Sequence, residues 1–186
     1  MTTSSAPQSS SQAAFVISVL HTLGPTGTNC EAAAYEWFRR QGRAGSVVLH
    51  DTLEQAVEQM PSEPGVALLS CIVYPDLHTL VFSNLDVLWL IDSFVMPTHR
   101  MVLASRVPNC AINTVASHPA PRLLAPNNAN VKLMSSNSKA ASACKAGEVD
   151  ACITTSVASD AAGLYIVRDF GRVPMGFAIH GRFNPY

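Results

Sequence analysis

The chain has 186 residues, 48% of them apolar and 13% charged, enough to bury a core as one domain or two small lobes and unlike a disordered protein. Lys and Arg number 12 against 13 Asp and Glu, and a net charge of −1 excludes the basic footprint of a nucleic-acid binder. The five cysteines, Cys30, Cys71, Cys110, Cys144 and Cys152, are scattered without a CxxC pair. Neither a disulfide framework nor a zinc site is expected, and reduced thiols in a cytoplasmic protein are.

Residues 1–14 are mostly Ser, Thr, Gln, Ala and Pro and read as a floppy tail. No basic residue precedes the short apolar run 15–20, which argues against a secretory signal, and no apolar run is long enough to span a membrane. Residues 15–23 predict a strand, Gly24-Pro25-Thr26-Gly27-Thr28 a turn, and 31–41 a helix. A short strand at 47–49 leads through His50-Asp51-Thr52 into a helix at 53–60, then strands at 66–73, 85–91 and 100–104. The second half repeats the pattern with strands at 111–116, 131–134 and 151–154. Helices are predicted after Ser117-His118-Pro119, after Ser136-Asn137-Ser138 and after Thr155-Ser156. An α/β fold with mainly parallel sheets follows. One lobe is expected over 15–106 plus 172–186 and the other over 107–171, with Pro108-Asn109 as the crossing.

Four of these turns carry hydroxyls, glycine or proline where a strand gives way to a helix: Thr26, Gly27 and Thr28; Ser117 to Pro119; Ser135, Ser136 and Ser138; Thr154 and Thr155. Free N–H groups and the positive helix end at such turns hold carboxylates, and in open α/β sheets the turns share one edge. The same residues are also good N-caps, and Thr28 with Glu31 matches a capping box.

The segment Gly24-Pro25-Thr26-Gly27-Thr28-Asn29-Cys30-Glu31-Ala32-Ala33 resembles the opening signature of prephenate dehydratase catalytic domains. Pro97-Thr98-His99, Ser117-His118-Pro119 and Ser135-Ser136-Asn137-Ser138-Lys139-Ala140-Ala141 follow in that family's order. The family's C-terminal Thr-Arg-Phe is replaced by Met175-Gly176-Phe177, and its Glu-Asn-Ser by Ser70-Cys71-Ile72. Thr22-Leu23-Gly24-Pro25, Leu49-His50-Asp51-Thr52, Pro75-Asp76-Leu77, a Ser117-His118-Pro119-x-Pro121 run and Pro174-Met175 are more specifically similar to the prephenate decarboxylases of bacilysin-type antibiotic pathways.

That resemblance implies a two-lobed, periplasmic-binding-protein-like fold with a cleft, covering the catalytic domain without a regulatory ACT domain. It implies a homodimeric, cofactor-free lyase of specialised metabolism, acting on a small anionic substrate with no nucleic acid or membrane as partner. The candidate substrate contacts are Thr26, Gly27, Thr28, Asn29, Cys30, Ser70, Ser117, Ser135, Ser136, Ser138, Thr154 and Thr155.

In prephenate dehydration a group assists departure of the ring hydroxyl while carbon dioxide leaves. A thioether at Met175 cannot donate a proton, so hydroxyl loss goes unassisted, whereas decarboxylation with protonation of the ring remains open. Histidine titrates near neutrality, which makes His21, His50, His99 and His118 the candidate donors. Arg172, nearest the altered triplet, is the candidate partner for a second carboxylate among Arg100, Arg106, Arg122, Arg168 and itself. Cys30, at a helix start, is read as a polar contact and not as a nucleophile. Two other functions stay open: dehydration of a different hydroxy-carboxylate, and a non-catalytic anion-binding module.

Overall fold

The structure, a computed structural model, describes residues 16–181; the tail at 1–14 and the end of the first lobe at 182–186 lie outside the described residues. The elements in chain order are β1 (Val19–Leu23), α1 (Asn29–Arg40), β2 (Ser46–His50), α2 (Leu53–Gln59), β3 (Val66–Cys71), α3 (Leu77–Phe82), β4 (Trp89–Pro97) and β5 (Met101–Ser105). They continue with β6 (Thr114–Ser117), β7 (Asn130–Leu133), α4 (Asn137–Ala146), β8 (Ala151–Thr155), α5 (Ser156–Ala162), β9 (Tyr165–Gly171) and β10 (Pro174–Gly181).

These strands form two five-stranded sheets, ordered β2-β1-β3-β10-β4 and β7-β6-β8-β5-β9. In each, three strands run parallel, β2-β1-β3 and β7-β6-β8. A fourth strand then runs antiparallel to both its neighbours, β10 in the first sheet and β5 in the second. The sheets are therefore mixed and not mainly parallel, because each receives one strand from beyond the βα succession. The C-terminal strand does return to the first sheet, between β3 and β4.

Four further expectations need correction. Residues 100–104, placed in the first lobe, form β5 inside the second sheet. The chain crosses at 98–100 and 172–173, not at Pro108-Asn109: buried Thr98 donates its N–H to Val173 O at 2.9 Å, and Val173 N–H returns to Thr98 Oγ1 at 3.1 Å. After Ser117-His118-Pro119 there is only a 3-10 turn, Arg122–Leu124, since Pro119, Pro121 and Pro126 remove the N–H donors a helix would need. The strand expected at 85–91 lies later, at β4, and the short α3 before it has no side-chain cap to announce it.

Each sheet is packed on both faces. Leu20, Ala33, Trp37, Phe38, Leu69, Phe177 and Ile179 join the first sheet to α1, while Leu53, Ala56, Leu68, Leu80 and Leu88 fill its other face beneath α2 and α3. In the second sheet Val102, Ala116, Ala140, Cys144 and Cys152 pack under α4 and α5. Met101, Leu103, Val115 and Ile153 meet the long connections on the opposite face. Small residues along α4 let that helix lie close to the sheet, so its N-terminus is held firmly at the sheet edge.

Candidate active site

The loop after β1 is shaped by two glycines. Gly24 donates its N–H to His50 O at 2.7 Å, and a Cβ at this position would stand 3.2 Å from Leu49 Cβ and 3.3 Å from His50 O. Gly27 has φ +84°, a left-handed conformation that disfavours a side chain. Thr28 then caps α1: its Oγ1 accepts Glu31 N–H at 3.3 Å and donates to Leu23 O at 3.2 Å. The expected capping box is altered, because Glu31 Oε2 takes the N–H of Gly27, at 2.6 Å, and not that of Thr28.

The second lobe supplies two comparable helix starts. Ser136 Oγ accepts Lys139 N–H at 3.1 Å and Thr155 Oγ1 accepts Ala158 N–H at 3.2 Å. Thr154 Oγ1 donates to Asn137 O at 2.7 Å, which fixes the beginning of α4 on β8. Three of the four predicted turns thus open α-helices, and residues of all four reach one cavity of about 400 Å³, the size of a small-molecule site.

Gly27, Thr28, Asn29 and Cys30 line the cavity from the first lobe, with Cys71, Met175 and Phe177. Ser135, Ser136, Asn137, Ser138, Thr155 and His118 line it from the second. The remaining predicted residues stand elsewhere. Thr26 is exposed outside the cavity, while Ser70, Ser117 and Thr154 are buried behind it. Ser117 Oγ donates to His118 O at 2.9 Å, and Ser70 Oγ has no partner among the described residues. Arg172 does not line the cavity, and neither Lys, Arg, Asp nor Glu is among the described residues that do.

The histidines divide sharply. His50 is buried at the end of β2, stacked on His21, with His50 Nε2 and His21 Nδ1 sharing a hydrogen bond of 2.9 Å. Burial holds both below the usual histidine value, and for His21 the charge of His50 adds to the effect. His99 sits in the crossing, its N–H bound to Asn29 Oδ1 at 2.8 Å. Burial and then the nearby Arg172 lower the His99 ring, against an opposing pull from Glu31. Only His118 reaches the cavity. Its Nδ1 accepts Ala120 N–H at 3.3 Å, and burial lowers its pKa.

Cys30 remains a thiol, pushed up to about 12 by burial, so the helix end does not activate it. Tyr74, another lining residue, donates its hydroxyl to Glu54 at 2.8 Å and accepts Leu53 N–H at 3.3 Å, which commits it to α2. Sequence reasoning missed Asn137 and Tyr74. Asn137 lay within the quoted Ser-rich turn and could have been found there by its amide.

The strand carrying the altered triplet alternates as a strand must. Met175 and Phe177 face the cavity, whereas a Cβ at Gly176 would clash with the Ile72 side chain. A side chain at 176 would therefore displace Ile72 on the face away from the cavity.

Fold and cavity together define a two-lobed α/β protein whose fold is similar to that of prephenate dehydratase. Over 180 residues the chain is 28% identical to a prephenate decarboxylase of Bacillus subtilis (strain 168), covering 88% of this chain and 86% of that one. The prephenate decarboxylase of Bacillus amyloliquefaciens matches with the same identity and coverage. The solved structure of prephenate dehydratase from Arthrobacter aurescens, in complex with L-Phe, superposes with a TM-score of 0.69 at 20% identity over 89% of this chain. This chain spans 61% of that one. No family model matches. The chain is thus similar to bacterial prephenate decarboxylases over most of its length, in line with its motifs.

Proposed function

We propose that the protein is a lyase that decarboxylates prephenate, or a closely similar hydroxy-carboxylate, without aromatising the ring, as part of specialised-metabolite biosynthesis. The observation that carries this reading is the pairing, in one cavity, of Met175 on β10 with His118 on the second lobe. The reaction breaks the bond between the ring and its carboxylate, releases carbon dioxide, moves the electron pair into the diene and adds a proton to a ring carbon, while the hydroxyl stays. A thioether gives the hydroxyl no assistance in leaving. His118 is the one imidazole among the described cavity residues, and it is assigned here as the proton donor.

Hydrogen-bond donors at the starts of α1, α4 and α5, the cavity residues Thr28, Asn29, Ser136, Ser138 and Thr155 among them, hold the carboxylates. Ser70, Ser117 and Thr154 shape this surface from behind, Thr26 stands outside it, and Arg172 serves the crossing instead of a carboxylate. The division into lobes that follows runs over residues 16–99 with 172–181, and over 100–171. Homodimer formation is carried over from the resemblance. A cytoplasmic location accords with five free cysteines, and no helix among the described residues is long and apolar enough to cross a membrane. Release of carbon dioxide from prephenate by the purified chain, above the rate with heat-denatured protein and without formation of phenylpyruvate, tests the reading; no release, or release with phenylpyruvate, overturns it.

A further inference from the structure

Asn29 and Asn137 occupy matching positions in the two lobes. Each is the first residue of its helix, behind the cap Thr28 in one case and Ser136 in the other, and both line the same cavity. One carbonyl oxygen is occupied and the other enclosed. Asn29 Oδ1 accepts the N–H of His99 in the crossing at 2.8 Å. Asn137 Oδ1 is buried with no partner among the described residues. The opposite orientation of that amide would bury two unpaired donors in place of one unpaired acceptor, a larger penalty. In each amide the Nδ2 group makes no hydrogen bond among the described residues, in a cavity whose described lining has no charged side chain.

The geometry points to Asn29 and Asn137 as a pair of donor amides, one from each lobe, that hold a dicarboxylate across the cleft in place of an arginine. This rests on the reading of the cavity as a prephenate site and adds what selects the substrate there. Neutral donors suit such a site because nothing in the lining would pair a buried guanidinium once the ligand leaves. With one donor on each side, a ligand must present an acceptor to both lobes to bind well.

Two substitutions in the full chain separate this role from a structural one. Asn29→Asp keeps an oxygen for His99 N–H but removes the donor and adds a negative charge. Asn137→Ala removes a buried unpaired oxygen, so its Tm should equal or exceed that of the unaltered protein. With prephenate as substrate, each should raise KM by about tenfold or more and leave kcat within about threefold, the signature of lost uniform binding. An unchanged KM in either variant overturns the proposal, and so does an Asn137→Ala protein that melts lower or fails to fold. Calorimetric titration with prephenate distinguishes the two levels of the argument. Binding by the unaltered chain without turnover, weakened in both variants, removes the proposed reaction and leaves the amide pair standing. An unaltered chain that turns over or binds prephenate with both variants indistinguishable from it removes the amide pair alone. No binding by the unaltered chain removes both.

Discussion

His118 Nδ1 accepts the backbone N–H of Ala120 at 3.3 Å, two residues further along a turn that proline prevents from becoming a helix. That contact orients the ring and places the proton of its neutral form on Nε2. Replacing His118 by Gln should leave prephenate binding in place and lower kcat by about 10²–10⁴-fold, the usual contribution of a positioned acid. Steady-state kinetics on the variant check this, and a kcat within a few-fold of the original removes His118 as the donor.

The pH dependence has a definite sign. Burial lowers the His118 pKa from 6.5, and the Ala120 N–H, which only the neutral ring can accept, acts in the same direction. If the imidazolium is the acid, kcat/KM falls as pH rises through that lowered value. A bound dianion favours the charged ring, so the corresponding limb of kcat lies at higher pH. Profiles of both constants between pH 5 and 8 test the order of the two limbs, a range taken from ordinary histidine behaviour.

Met175→Thr returns a hydroxyl to the cavity wall, and some phenylpyruvate should form from prephenate because hydroxyl departure regains a partner. The polar group costs about 1–3 kcal/mol unless it finds a hydrogen bond. Only the single change is worth making, since a side chain at 176 would meet Ile72 and not the cavity. Chromatography of the products decides: a folded variant that yields only the original product shows that the triplet does not separate the two reactions.

Stability should fall on acidification. His21, His50 and His180 are buried, with pKa values lowered from 6.5 chiefly by burial, and His180 Nδ1 has no partner among the described residues. The unfolded chain then binds more protons than the folded one, so stability is full above 6.5 and is lost as pH falls through the lowered values. Urea denaturation between pH 8 and 5 measures this, and His180→Leu should flatten the dependence. Equal slopes for the variant and the original protein would remove His180 from the explanation.

Phe177 ties the cavity to the core: it is fully buried, stacked on Phe94, and faces the ligand space. Phe177→Ala should destabilise the fold by about 3–5 kcal/mol, measured by denaturant midpoint. A loss below about 1 kcal/mol would show that the site collapses around the change.

Much of the fold can be read in the sequence because local signals and tertiary structure agree there. Thr28, Thr52, Ser136 and Thr155 each cap the helix that their position announces. What cannot be read is what depends on distant pairing. The insertion of β5 between β8 and β9, and the crossing held by Thr98 and Val173, leave no periodic trace in the chain. The same limit governs the site. The Gly-Thr and Ser-Ser turns mark the cavity, yet His50 and His118 look alike as sequence, and only packing puts one against His21 and the other at the ligand space.

The product formed from prephenate tests the central claim most directly. The purified chain, incubated with prephenate and followed by mass and by the absorbance of the ring, should give a compound that has lost carbon dioxide, kept its hydroxyl and stayed non-aromatic. Phenylpyruvate formed faster than in the uncatalysed control would contradict the account.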